Sequence, residues 1–486
     1  MIKYLLQLTL AWMCLSCATP APAQVEDGYE IDITVKGFTH SEAYLAYYYG
    51  DKQYIKDTAA VLNGNFIFRG EEALKGGIYL VVLPPKNNYF ELVIDADQHF
   101  TVMTDTGELA LNVRISGSAE NDLFYHDIRF LSERRKKVQS LNEQLKGLDE
   151  NSAQAKALKD QVSAIDKEVR DHREKLMENQ DFIYAKMLRA MQEPVIPESP
   201  VLDNGRPDST FPFRYYKSHY FDHMDFGDGR MLRTPIMHQR VDQYLERLTV
   251  KSPDSIIVSV DYICGKARAN DDVFQYFVVT LLNKYAASKI MGMDEVYVHM
   301  VEKYYLSGDA FWADEEQTKK MEERARAISP TLIGRRAPGF SMQDTKGQVR
   351  SLFSIPGAYT ILYFWDYDCG HCKKVTPKLG EAFQRWKDKD VTLVAVSING
   401  SVEDWKKKIV EYGIDGGVNL QDHYRQSGFD KLYDIRSTPR LLLLDKDKKI
   451  LAKYISVDQM DNLLDHFING AALKAPTPEE EDDDTH

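Results

Sequence analysis

The chain has 486 residues, 43% hydrophobic and 28% charged, with a formal net charge of -13. That length exceeds one ordinary hydrophobic core, and about two to four domains are expected. The acidic balance, with no long basic cluster, argues against nucleic acid as a partner, because phosphates demand basic patches.

Met1 to about Leu15 reads as a targeting segment, with Lys3 as the positive start and a mostly apolar run from Tyr4. Two exits are open. Ala21-Pro22-Ala23 fits a small-x-small cleavage site, which makes residues 1–23 a signal peptide and the product free. Leu15-Ser16-Cys17 resembles the end of a bacterial lipoprotein signal, which would leave a lipid on Cys17, although Cys14 stands where leucine is usual. The apolar stretch is short for a bilayer span, which needs about 20 residues. Either exit implies the periplasm or cell envelope. The five cysteines are Cys14, Cys17, Cys264, Cys369 and Cys372, too few to staple an exported fold. Cys264 stands alone and reads as a packing thiol.

Residues 25–118 read as a small β-sandwich or open barrel. Candidate strands are Tyr29 to Val35, Ala43 to Tyr49, Asn65 to Arg69, Ile78 to Leu83, Phe90 to Ile94 and Asn112 to Ile115. Asn63-Gly64 predicts a tight hairpin turn. Tyr44, Tyr47, Tyr48 and Tyr49 either pack or form a ligand face. Residues 119–330 read as a helical domain. Leu141, Leu145, Leu148, Ala155, Leu158, Val162, Ile165, Val169 and Leu176 recur at helical spacing, in one long helix or in a hairpin turning at 147–152. That segment is a spacer or a homodimer seam. A proline-rich break follows at 194–200. His219 and His223 lie four apart, but no Glu completes a metal motif, and they read as ordinary histidines. No metal site and no cofactor are expected.

A third domain is expected over 333–473, followed by an acidic, self-repelling tail over 474–486. A buried-type strand, Tyr359 to Trp365, runs into Cys369-Gly370-His371-Cys372. A helix starting at Cys369 places the first sulfur at its N-terminus, where unpaired backbone N–H groups favour a thiolate. The second sulfur sits one turn inside. A helix to about Lys387 follows, then a strand Val391 to Ile398, a helix Val402 to Tyr412, and a strand pair flanking Asp445 to Lys449. The apolar runs predict a mostly parallel core with an antiparallel edge.

These residues carry a resemblance to the thioredoxin superfamily, and within it to exported, TlpA-type thiol-disulfide oxidoreductases. It rests on Phe364-Trp365 ahead of the first cysteine, on Cys369-Gly370-His371-Cys372, and on Thr438-Pro439, with Pro439 lying 67 residues after Cys372. The resemblance implies an α/β thioredoxin-like fold and a redox-active disulfide between Cys369 and Cys372. It implies a cis Pro439 facing the sulfurs, a thiolate-tuning His371, and a substrate groove shaped by Trp365, Thr438, Asp368 and Gly370. The whole order, a β domain, a helical domain and this last domain, resembles a Bacteroidetes envelope architecture. Three positions depart from the family. Asp368 replaces an aromatic, Tyr363 replaces a buried Asp, and Val375 stands where related reductases carry Glu. The base for Cys372 is therefore open, with Asp366, Asp368, a water or the Cys369 thiolate as candidates.

The expected activity is thiol-disulfide exchange with protein or peptide substrates, as reductase or isomerase, fed by a membrane or envelope electron donor. The competing reading is an envelope scaffold or binding protein whose disulfide is structural or redox-sensing.

Overall fold

The structure is a computed structural model and describes residues 28–423 and 426–473. The targeting segment, with Cys14 and Cys17, and the tail from residue 474 lie outside the described residues. Contacts divide the chain into two units, one running to Pro194 with Phe221–Asp225 and Arg230–His238, the other taking the rest.

In the first unit, β1 (Tyr29–Lys36), β2 (Glu42–Tyr49), β3 (Lys52–Ala60), β4 (Asn65–Gly70), β5 (Gly77–Leu83), β6 (Asn88–Ile94), β7 (His99–Asp105) and β8 (Arg114–Ser116) form two four-stranded sheets. Their orders are β4-β1-β7-β8 and β3-β2-β5-β6. In β1, Tyr29, Ile31, Ile33 and Val35 are buried and Glu30, Asp32 and Lys36 are exposed, the period of a half-buried strand. Two strands lacked a sequence signal strong enough to read. β3 is an edge strand exposed along most of its length, and β7 exposes the apolar Met103 and buries the polar Thr104, which blurs its alternation in the sequence. The turn at Asn63-Gly64 forms, with positive φ at both residues (52° and 80°). It closes as a tight hairpin turn, with Leu62 and Asn65 exchanging both backbone bonds at 2.9 and 3.0 Å, but the ladder stops at that pair. Leu62 and Asn65 share one bridge, after which β3 pairs with β2 and β4 with β1, so the turn passes the chain from one sheet to the other.

Two long helices follow, α1 (Ala119–Leu145) and α2 (Ala153–Met177), with a short α3 (Ile183–Ala190). The hairpin alternative holds. Gly147 turns with φ 85°, and Ser152 caps α2 by accepting from the Ala155 N–H. The Asn121 side chain bonds both the N–H and the C=O of Val93, fastening α1 to β6.

The second unit holds α4 (Phe211–His219) and most of α5 (Ile236–Arg247). α6 (Pro253–Ala267), α7 (Asp271–Ala286), α8 (Asp294–Met300) and α9 (Glu315–Ile328) complete its helical part. Cys264, on α6, is fully buried, and burial pushes its thiol up to about 12, so it packs and does not react. The α/β part follows in the order β9 (Ser341–Asp344), β10 (Val349–Ser351), β11 (Tyr359–Trp365), α10 (Gly370–Gln384), β12 (Val391–Ser397), α11 (Val402–Glu411), β13 (Val418–Gln421), α12 (Phe429–Leu432), β14 (Arg440–Leu444), β15 (Ile450–Lys453) and α13 (Val457–Asn469).

Its seven strands form one sheet, β10-β9-β13-β12-β11-β14-β15. The expectation of a mostly parallel core is corrected. Only β11 with β12 and β12 with β13 run parallel, and the other pairs are antiparallel. An unbroken apolar run reports that both faces of a strand are covered; it does not report direction. β11 illustrates the point: Ile361, Tyr363 and Trp365 face one buried layer with α10 and α13, while Leu362 and Phe364 face another with α12.

Candidate functional site

The site is built by the neighbours of β11. β14 runs antiparallel to it, with Phe364 opposite Arg440. The residues after β11 and those before β14 therefore meet at one end of the sheet. That register brings the two cysteines and Pro439 together from distant points in the sequence.

A tight turn carries the chain from β11 into α10. Asp366 organises it. Its carboxylate accepts the Asp368 N–H at 2.9 Å and the Asn399 side-chain amide at 3.1 Å, and its C=O accepts the Cys369 N–H at 3.2 Å. Cys369 is the N-cap of α10, and its C=O accepts the first helical bond from Lys373 at 3.1 Å. The sulfur thus lies over backbone N–H groups that have no partner within the helix.

The two cysteines stand as free thiols in different surroundings: Cys369 is half-buried and Cys372 fully buried. Burial pushes the Cys369 thiol up. The Cys372 and His371 backbone N–H groups, the Thr438 side chain and the Cys372 thiol outweigh it, and the net shift is below an ordinary thiol. Cys372 goes the other way. Burial raises it to about 11, aided by the adjacent Cys369 and only partly relieved by the Asp366 N–H and Thr438. The Asp366 N–H lies 3.5 Å from Cys372 Sγ. One sulfur is therefore suited to attack as thiolate, and the other holds its proton.

Thr438-Pro439 is a cis peptide, and the Thr438 carbonyl lies 3.5 Å from Cys369 Sγ. A carbonyl only accepts, so this contact exists for the thiol and is lost in the thiolate. Thr438 and Pro439 are half-buried, while Asp368, Gly370 and the His371 side chain are exposed around the sulfur. The backbone N–H of His371 contacts Cys369 Sγ, while its ring faces solvent. Trp365 is corrected. It was expected to shape the groove, yet it is wholly buried, edge-on to Tyr412 in the core, and offers a substrate no surface. The cause is the pleat, which turns Trp365 inward with Tyr363 and Ile361.

Tyr363 is likewise fully buried, with its hydroxyl 2.8 Å from Thr376 Oγ1. Burial, and then the charges of both sulfurs, push that phenol up, so it stays neutral. Asp366 offers Cys372 a backbone donor, and its carboxylate is turned to Asn399. Asn399 has no motif to announce it. It sits in the loop after β12, and only the pairing of β11 with β12 brings it to the dithiol turn. Among the described residues, no group of three His, Cys, Asp or Glu side chains is placed to hold a metal ion.

Residues 357–450 match the family described as thioredoxin-like. Residues 29–124 and 148–328 match two families known only as domains of unknown function, DUF4369 and DUF5106. The chain is similar to the thiol-disulfide oxidoreductase ResA of Bacillus subtilis, 27% identical over 136 residues, which cover 28% of this chain and 74% of that protein. The ResA of Bacillus anthracis is 27% identical over 131 residues, 27% of this chain and 74% of that protein. Among solved structures, a domain of a possible thiol-disulfide isomerase from Cytophaga hutchinsonii is 38% identical, covering 29% of this chain and 97% of that one, with a TM-score of 0.28. A thioredoxin domain of a thiol-disulfide oxidoreductase from Bacteroides vulgatus is 32% identical, covering 28% of this chain and 99% of that one, with a TM-score of 0.27. A paired, asymmetric dithiol, a strand register that sets a cis proline beside it and the kinship of the surrounding segment agree: the chain belongs to the thioredoxin superfamily, among its TlpA-like thiol-disulfide oxidoreductases.

Proposed function

We propose that the protein exchanges its Cys369–Cys372 dithiol with protein or peptide disulfides in the cell envelope, as a reductase or isomerase, with no other cofactor. The observation that carries this reading is the asymmetric placement of two thiols on one helical turn beside a cis proline, Cys369 half-buried at the N-cap of α10 and Cys372 fully buried. That placement favours the thiolate at the first and the thiol at the second. The Cys369 thiolate attacks a substrate disulfide, forming a mixed disulfide and expelling one substrate thiolate. Cys372 then loses its proton and attacks Cys369 Sγ. The second substrate thiolate leaves, and the substrate has gained two electrons as the Cys369–Cys372 disulfide closes. An envelope or membrane dithiol donor returns the pair to the reduced state. When the attacked disulfide is non-native, a different thiolate of the same substrate attacks the substrate sulfur of the mixed disulfide and expels Cys369 as thiolate, which gives isomerisation.

The cis Thr438-Pro439 peptide and the exposed Asp368, Gly370 and His371 form the surface on which a substrate chain lies across Cys369. The apolar leader supports an envelope location, with a free product or a lipid on Cys17 as the two outcomes. Among the described residues, no helix is long and apolar enough to cross a membrane. The α1–α2 hairpin is the candidate seam for a homodimer.

A disulfide-reduction assay on a model protein substrate tests the reading. Cys369→Ser should abolish turnover, and Cys372→Ser should trap a substrate as a stable mixed disulfide. Full turnover by Cys369→Ser removes the proposal. A disulfide potential below about -300 mV would assign the bond to structure instead.

A further inference from the structure

The turn carrying the dithiol is held from outside itself. Asp366 uses all its polar groups there. Its carboxylate is fixed between the Asp368 N–H and the Asn399 amide, its C=O takes the Cys369 N–H, and its N–H faces Cys372 Sγ. The Asn399 end is anchored in turn. The Asn399 carbonyl accepts Ser397 Oγ at 2.9 Å and the Gln421 side-chain amide at 3.2 Å, and that amide also reaches the Gly400 carbonyl at 3.1 Å. Gln421 is buried at the end of β13. The same loop presses on the turn a second time: the Ser401 N–H donates to the Tyr367 hydroxyl at 3.0 Å. Gly400 has φ 103°, and a β carbon there would stand 1.9 Å from the Tyr367 ring. Two contacts from one loop, seated on β12, β13 and the cap of α11, thus fix the orientation of the 366–368 turn.

We infer that Asn399 is a positioning residue for the resolving thiol: by holding the Asp366 carboxylate on the 397–401 loop, it keeps the Asp366 backbone N–H directed at Cys372 Sγ. The inference rests on the exchange mechanism proposed above. The two steps depend on different supports. The groups that favour the Cys369 thiolate come from α10 and from Thr438, and neither Asp366 nor Asn399 is among them. The backbone donor to Cys372 comes from Asp366, whose side chain Asn399 holds. Loosening that tie slows the attack of Cys372 on the mixed disulfide and spares the attack of Cys369 on the substrate. A free Asp366 carboxylate, no longer turned to the loop, would also place negative charge nearer the sulfur that must ionise.

The test uses the reduced full chain and dithiobis(nitrobenzoate), an aryl disulfide that releases one coloured thiolate when Cys369 attacks and a second when Cys372 resolves. In Asn399→Ala the first phase should stay within about twofold of the parent, and the second should slow about tenfold, the scale of one lost charge-assisted contact. The pH midpoint of the second phase should move up. Asn399→Asp, which sets carboxylate against carboxylate, should slow the second phase at least as much. Asp366→Asn keeps an oxygen for the Asp368 N–H and, with the Asn399 amide turned so that its oxygen accepts from the new NH2, keeps the tie to Asn399, and it should retain a near-parental second phase. An unchanged second phase in Asn399→Ala overturns the inference, and so does equal slowing of both phases, which a general loss of structure would produce. A parent protein whose first release survives Cys369→Ser would instead overturn the exchange mechanism.

Discussion

Burial shifts the protonation of single residues, and Cys372 is one instance. Glu120 is another. It is 5% exposed, at the start of α1, with Oε1 accepting the Tyr184 N–H at 2.7 Å. Burial raises its carboxyl to about 7, against the pull of the Tyr184 N–H and Arg230 and with the push of Asp95. The sign follows directly. Between the ordinary carboxyl range and pH 7 the folded chain keeps a proton that the unfolded chain has released, so this contribution is whole at acid pH and is lost as pH rises. Stability of the first unit should therefore fall by on the order of 3 kcal/mol between pH 5 and pH 8 from this group alone. In Glu120→Gln, which still accepts from Tyr184, that slope should vanish when urea unfolding is followed across the range. At this scale the sequence revealed what motifs encode: two cysteines, a histidine between them and a proline before a strand. It could not reveal the inward turn of Trp365 or the reach of Asn399, because both follow from the pleat and the pairing of strands distant in sequence.

Polar contacts as well as packing tie elements together, and the ion pair between Lys453 and Asp294 lends itself to a test. Lys453, at the end of β15, pairs with Asp294 at the start of α8, with side-chain exposures of 4% and 27%. Asp294 Oδ1 is buried without a partner, so the lysine is the main compensation for that carboxylate. Lys453→Met, which keeps the apolar stem, should lower the stability of the second unit by about 1–3 kcal/mol, discounted from a fully buried pair because Asp294 retains some solvent. Adding Asp294→Asn should recover most of the loss. Tryptophan fluorescence reads this cleanly, since Trp312, Trp365, Trp386 and Trp405 all lie in that unit. A single variant as stable as the parent would show that the pair contributes nothing. Element type was legible wherever periodicity was strong, as in the α1–α2 hairpin and in β11. Strand direction was not legible, since cover on both faces looks alike in parallel and antiparallel company. The edge strand β3 was missed because exposure on both faces leaves no alternation to read.

The exchange chemistry occupies one end of one sheet, and among the described residues before 333 the one cysteine is the buried Cys264. The zones of composition, strand-rich, then helical, then α/β, were legible because the hydrophobic period changes between them. The allotment of the helices over 119–330 to two units was not, because it depends on which distant surfaces they cover. The matches over 29–124 and 148–328 carry no activity to transfer, so the function stands on the last segment.

The most direct test is alkylation of the reduced protein by iodoacetamide across pH, with each cysteine read by peptide mass spectrometry and free cysteine titrated alongside. A thiol whose ionisation is favoured reaches its plateau rate at lower pH. The account predicts modification of Cys369 alone near neutrality, with a midpoint below that of free cysteine, while Cys372 and Cys264 stay protected. A Cys369 midpoint at or above that of free cysteine, or equal labelling of Cys372, would contradict it.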